Sequence, residues 1–129
     1  MTRSRGSVRY ISAMSPAETA ARRYIAAWLT ADPAERAQLL EQCFADDGRI
    51  ILRGTEMRGR AALAHAIEQF ATDARRLTGR ITDDVEAQDP LFRFRAVFDH
   101  PDGTRYSSVQ DLGEIDASGR ITTIYSFVD

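Results

Sequence analysis

Apolar residues change their spacing partway along this chain. In the first half they recur at helical intervals; from about residue 77 they alternate with polar ones. The first spacing marks a helix face and the second a strand half-buried in a sheet. Ser15-Pro16-Ala17-Glu18 opens the first helix, with a serine cap, proline at the first helical position and a glutamate to complete a capping box. Ala20, Tyr24 and Trp28 fall on one stripe, with Ala17 and Ala21 beside it; Arg22 and Arg23 face away. Asp32-Pro33-Ala34-Glu35 repeats the start signal. A second helix then carries Leu39, Leu40, Cys43 and Phe44 inward until Asp46-Asp47-Gly48 ends it. Arg49-Ile50-Ile51-Leu52 is a short strand, 53–59 a loop, and 60–73 a third helix with Leu63, Ala66, Ile67 and Phe70 inside.

The alternating half predicts a sheet. Residues 77–88 read as one long polar strand, bent or bulged at Gly79. After a turn at Asp89-Pro90, Phe92, Phe94, Ala96 and Phe98 share one face of the next strand. A turn at His100-Pro101-Asp102-Gly103 leads into a final hairpin over 104–129, folded about Ala117-Ser118-Gly119. Ser107, Val109 and Asp111 share a face of its first strand. On the second, Tyr125 and Phe127 point away from Ile124, Ser126 and Val128. The order is helix, helix, strand, helix, then four strands in a meander. This predicts an α+β fold in which three helices pack over one face of a strongly curved, mostly antiparallel sheet. Such a sheet is a cone, and its inside is a natural ligand pocket.

Composition narrows the function classes. The 129 residues make one domain, expected over 15–129, behind a basic flexible tail over 1–14. Met14 directly precedes the first helix cap and reads as an alternative start. The net charge of −2 argues against a nucleic-acid footprint. All positive side chains are arginine, which with the abundant alanine suggests a GC-rich bacterial genome. No run is apolar and long enough to span a bilayer, and no secretory signal is evident. The single cysteine, Cys43, allows no internal disulfide and suits a cytoplasmic protein. His65 and His100 lack partners at ligand spacing, so neither a metal nor another cofactor is expected.

The candidate chemistry lies at Asp111. A carboxyl buried on the apolar face of a strand, with no cation beside it, has a raised pKa and can stay a neutral donor. The plain alternative is an acid satisfied by Tyr24 or by backbone. Tyr24 and Trp28, one helical turn apart, are amphipathic aromatics over the sheet. On the outer face, Tyr125 and Phe127 form an exposed aromatic row, which suggests a symmetric homodimer.

Several short stretches, in this order, make the chain similar to the NTF2-like superfamily, in particular its SnoaL-like and ketosteroid-isomerase-like branch. They are A-R-R-Y-I-A-A-W in the first helix, F-A-D-D-G before the first strand, R-G-R-A-A-L opening the third helix, and G-R-I-T-T-I in the last strand. The resemblance implies a cone with a hydrophobic pocket, walled by Trp28, Leu52, Met57, Phe70, Phe92, Phe94, Val109 and Ile124. It implies that Tyr24 and Asp111 form an oxyanion-type donor pair. It also puts Leu52 where the steroid isomerases carry their proton-shuttling aspartate, and leucine cannot move a proton. Glu56, on the loop by the mouth, is the candidate substitute base. Three functions follow as expectations. One is a pocket protein for a small, largely apolar, carbonyl-bearing molecule. Another is an isomerase, cyclase or hydratase using Glu56. The third is a dimerisation module whose cone is filled by its own side chains.

Overall fold

The computed structural model describes residues 14–71 and 76–129. The tail expected over 1–14 therefore falls, apart from an exposed Met14, outside the described residues, as does the predicted end of the third helix. The elements in chain order are α1 (Pro16–Leu29), α2 (Pro33–Cys43), β1 (Phe44–Leu52), β2 (Thr55–Arg58), α3 (Arg60–Ala71), β3 (Thr78–Ile81), β4 (Glu86–Gln88), β5 (Leu91–Asp99), β6 (Arg105–Ile115) and β7 (Ile121–Val128). The described strands form one sheet in the order β2-β1-β7-β6-β5-β3, with β4 also paired to β5. All pairings are antiparallel except β1 with β7. The expected α+β cone, with three helices on a curved and mostly antiparallel sheet, is the architecture found.

Local chemistry sets the helix ends. The Ser15 hydroxyl accepts from the Glu18 amide at 3.2 Å, and the Asp32 carboxylate from the Glu35 amide at 3.0 Å. The Asp89 carboxylate also accepts from the Ala17 amide at 2.9 Å, tying α1 to the turn before β5. Arg36, buried in α2, donates to the carbonyls of Thr30 and Ala31 and so satisfies the chain where it leaves α1. Arg60 forks onto the Phe44 carbonyl at 2.8 and 3.0 Å and fixes α3 against β1.

Five sequence expectations need correction. Phe44 is not inside α2; it caps the helix, its amide donating to the Leu40 carbonyl, and begins β1, where it pairs with Ile121. The Asp46-Asp47-Gly48 run is not a terminator but part of a register shift inside β1. A bulge uses the same turn-favouring residues as a helix end, so the two look alike in sequence. The 53–59 loop contains a strand. Arg53 and Gly54 both have positive φ, 51° and 77°, and fold β2 back on β1 as a tight hairpin. Finally, 77–88 is two strands, because the exposed Asp83-Asp84 stretch interrupts pairing with β5. Gly79 is no bulge: it pairs in regular register with Phe98, and its missing side chain admits Leu29 and the Phe98 ring.

The core fills the narrow end of the cone. Phe92, Phe94, Ile121 and Ile124 are buried there with Phe44, Leu40, Leu63 and Ile67. Each large apolar side chain so buried stabilises the fold by roughly 1.5–3 kcal/mol. Gly113 lies opposite both Phe92 and Ile124 in the sheet, and the Phe92 ring lies directly over it. An alanine methyl there would collide with the ring, so this glycine allows the cone to close.

A candidate ligand cavity

The wide end of the cone is open. A cavity of about 310 Å³ lies between α1, α3 and the concave face of the sheet. Its floor follows from register. Asp111 pairs with Phe94 on one side and Ser126 on the other, and Val109 with Ala96 and Val128. Residues at these positions alternate onto the concave face. From β1 and β2 come Ile50, Leu52 and Met57; from the helices come Tyr24, Ile25, Trp28 and Phe70. Tyr24, Trp28, Leu52, Met57, Phe70, Val109 and Asp111 are thus brought together around one space. Phe98, Tyr106, Ser107, Ser126 and Val128 complete it. Ser126 and Phe98 are legible in the sequence, since Ser126 shares a face with Ile124 and Val128, and Phe98 with Phe94.

Phe92, Phe94 and Ile124 do not line the cavity. All three point to the predicted face, but Phe92 and Ile124 lie further along their strands, opposite Gly113, and Phe94, although level with Asp111, is buried against the Phe92 ring. Alternation gives the face of a residue and not its depth in the cone. Glu56 is also elsewhere. Ile50 with Met57 turns inward on the β1–β2 hairpin, so the neighbouring pair, Ile51 with Glu56, turns outward. There the Glu56 carboxylate meets Arg49 at 3.2 Å and Arg58 at 2.9 Å, and their hydrogen bonds hold its pKa below the ordinary value. An exposed, arginine-paired carboxylate is a poor proton acceptor.

Asp111 is 3% exposed, and its Oδ1 has no hydrogen-bond partner. Burial pushes its pKa up from the ordinary 3.8 to about 6, while a hydrogen bond from the Ser126 hydroxyl pulls it down. Tyr24 is raised well above its ordinary value, by burial first and by the Asp111 charge second; a hydrogen bond from Trp28 opposes this. The Trp28 indole can only donate, so the Tyr24 oxygen accepts there and its own proton is available for another acceptor. The rings form an edge-to-face chain. Centroid separations are 6.5 Å for Tyr24–Trp28, 5.4 Å for Trp28–Phe70 and 5.3 Å for Phe70–Phe98. Among the described residues, the lining contains no arginine, no histidine and no second carboxylate. Cys43 is buried outside the cavity, and burial pushes its thiol up to about 12, which leaves it unreactive. The arrangement can place Tyr24 and a protonated Asp111 as two donors on one oxygen. Alternatively, it can offer an ionised Asp111 as an acceptor.

No family model matches the chain, and no curated protein does. Solved structures match it closely in shape. A candidate isomerase of the SnoaL-like family from Agrobacterium tumefaciens superposes with a TM-score of 0.79 at 24% identity, covering 90% of this chain and 99% of that one. An NTF2-like protein of unknown function from Exiguobacterium sp. 255-15 gives 0.65 at 17% identity, over 85% and 98% of the two chains. A protein of ketosteroid isomerase-like fold from Catenulispora acidiphila DSM 44928, in complex with trimethylamine, gives 0.64 at 18% identity, over 84% and 83%. The fold is therefore that of the NTF2-like superfamily. Among the described residues, no helix is long and apolar enough to cross a membrane.

The raised Asp111 pKa has a consequence for stability. The native state holds this proton at pH values where the unfolded chain, near 3.8, has lost it. Its contribution is therefore full below 3.8 and is lost as pH rises through about 6. The Asp111→Asn variant lacks this loss. Relative to wild type it should gain up to about 3 kcal/mol between about pH 4 and pH 7. Urea denaturation of both proteins across that range measures the difference; a constant gap would show that Asp111 is not desolvated.

Proposed function

We propose that the protein is a small-molecule pocket protein of the SnoaL-like type, whose ligand is compact, largely apolar and carbonyl-bearing. One observation carries this reading: an open cavity in which a buried carboxyl oxygen without a partner lies among the same lining residues as the Tyr24 hydroxyl. A buried polar atom without a hydrogen bond is costly, and a ligand that supplies the bond recovers that energy. Entry of an apolar ligand removes water and favours neutral Asp111 further, so that it and Tyr24 can both donate to a carbonyl oxygen. The open cavity weighs against an interaction module with a filled cone. An isomerase, cyclase or hydratase working through Glu56 is disfavoured by the outward, arginine-paired position of that residue. The trimethylamine complex of the Catenulispora protein brings a second ligand chemistry, a compact ammonium, into consideration for this cavity.

Enolisation needs a group to take the α-proton as well as donors for the oxyanion. With Leu52 at the position the steroid isomerases give to their base, steroid isomerisation should be undetectable in the wild type. The donors should still hold para-nitrophenol, whose oxygen resembles that of an enol, at about pH 5, where Asp111 is mostly protonated. Asp111→Leu should weaken that binding by about 1–3 kcal/mol in calorimetry. Efficient isomerisation, or phenol affinity unchanged in both Asp111→Leu and Tyr24→Phe, would contradict the reading.

We also propose that the protein is a cytoplasmic homodimer, joined through the convex face. Leu112 pairs with Tyr125 across β6 and β7, and both are exposed, as is Phe127, at 64%. Wild type should sediment as a dimer at micromolar concentration and Tyr125→Glu/Phe127→Glu as a monomer. A monomeric wild type would rule this out.

A further inference from the structure

We propose that the cavity also binds compact alkylammonium ions, with Asp111 as counter-charge and the aromatic chain as walls. This rests on the reading of the cavity as a ligand site and adds a ligand class to it. The first support is what surrounds Asp111. Its carboxyl is buried, its Oδ1 is unpartnered, and among the described residues no positive side chain lines the cavity. A buried carboxylate with no cation of its own is unstable unless it takes a proton or a counter-ion. A protonated or quaternary amine in the cavity supplies that counter-ion.

The second support is the wall. Tyr24, Trp28, Phe70, Phe98 and Tyr106 all border the same space, and four of them are linked edge to face. Cations are attracted to aromatic ring faces, and the attraction strengthens when water is excluded. An aromatic enclosure with one carboxylate suits a charge wrapped in methyl or methylene groups, which cannot satisfy several hydrogen-bond acceptors but contacts rings well. The remaining lining is chiefly aliphatic, with Ser107 and Ser126 the other polar side chains. That excludes a strongly hydrated ion such as sodium as the better fit. The volume of about 310 Å³ admits a small amine with room for an apolar substituent. The same carboxyl thus serves two ligand classes: protonated, it donates to a carbonyl; ionised, it pairs with an ammonium.

Choline and neohexanol separate charge from shape, because in neohexanol a carbon replaces the ammonium nitrogen. Trp28 is the only tryptophan, so its fluorescence reports on the cavity. At about pH 7.5, where Asp111 is ionised, choline should bind wild type roughly tenfold or more tightly than neohexanol, and sodium chloride at equal ionic strength should not reproduce the signal. Asp111→Asn should abolish the preference while still binding para-nitrophenol, since the asparagine amide can donate. Equal binding of choline and neohexanol by wild type overturns the inference without any variant. Choline affinity unchanged in Asp111→Asn overturns it as well. If para-nitrophenol binds at about pH 5 and choline does not bind at about pH 7.5, the ammonium inference falls and the pocket reading stands. If no probe binds, both fall.

Discussion

The antiparallel pairing of β6 with β7 sets the position of nearly every feature described above. Asp111 opposite Ser126 places a carboxyl and a hydroxyl on the concave face, and Leu112 opposite Tyr125 places two apolar residues on the convex one. A slip of one residue would exchange the faces and put the carboxyl in solvent. The register is held at both ends. At the turn, the Asp116 carboxylate accepts from the amides of Ser118 and Arg120, and Gly119 adopts a positive φ of 84°. At the far end, the Asp129 amide donates to the Ser108 carbonyl and its carboxylate accepts from the Ser108 hydroxyl. The parallel pairing of β7 with β1 then carries the register to Ile50 and Leu52, and the hairpin carries it to Met57.

Within this frame the cone has two regions with opposite requirements. The closed end is filled by aromatic and branched side chains, with Gly113 giving the Phe92 ring its space. The open end leaves a cavity whose principal unsatisfied polar atom is Asp111 Oδ1. Apolar packing supplies the stability, and the site draws on it by keeping a carboxyl out of water with only a serine hydroxyl to assist.

The sequence revealed most of this wherever one rule governs. The N-caps at Ser15 and Asp32, the phase of Phe92–Phe98 and the phase of Asp111 are each fixed by local chemistry or by alternation, and the structure has them. Tyr24, Trp28, Leu52, Met57, Phe70, Val109 and Asp111 border one space because both helix stripe and strand phase aim at it. What escaped depends on distance along an element or on short polar strands. Ile124 has the right phase but lies deeper, opposite Gly113, and Phe94, level with Asp111, stacks on Phe92 instead of bordering the space. Glu56 was assigned to a loop because Thr55–Arg58 carries little apolar signal; once β2 is seen, pairing with Ile51 puts Glu56 outside. Arg36 was invisible as a core residue, since its burial depends on two carbonyls at the end of α1.

Both proposed ligand classes depend on an Asp111 carboxyl that is desolvated and without a counter-charge. The most direct test is an NMR titration of its carboxyl carbon in the free protein, assigned with the Asp111→Asn variant. The structure predicts a midpoint of about 6. A midpoint near the ordinary 3.8 would mean that Asp111 is solvated or paired, and would contradict the account of the cavity.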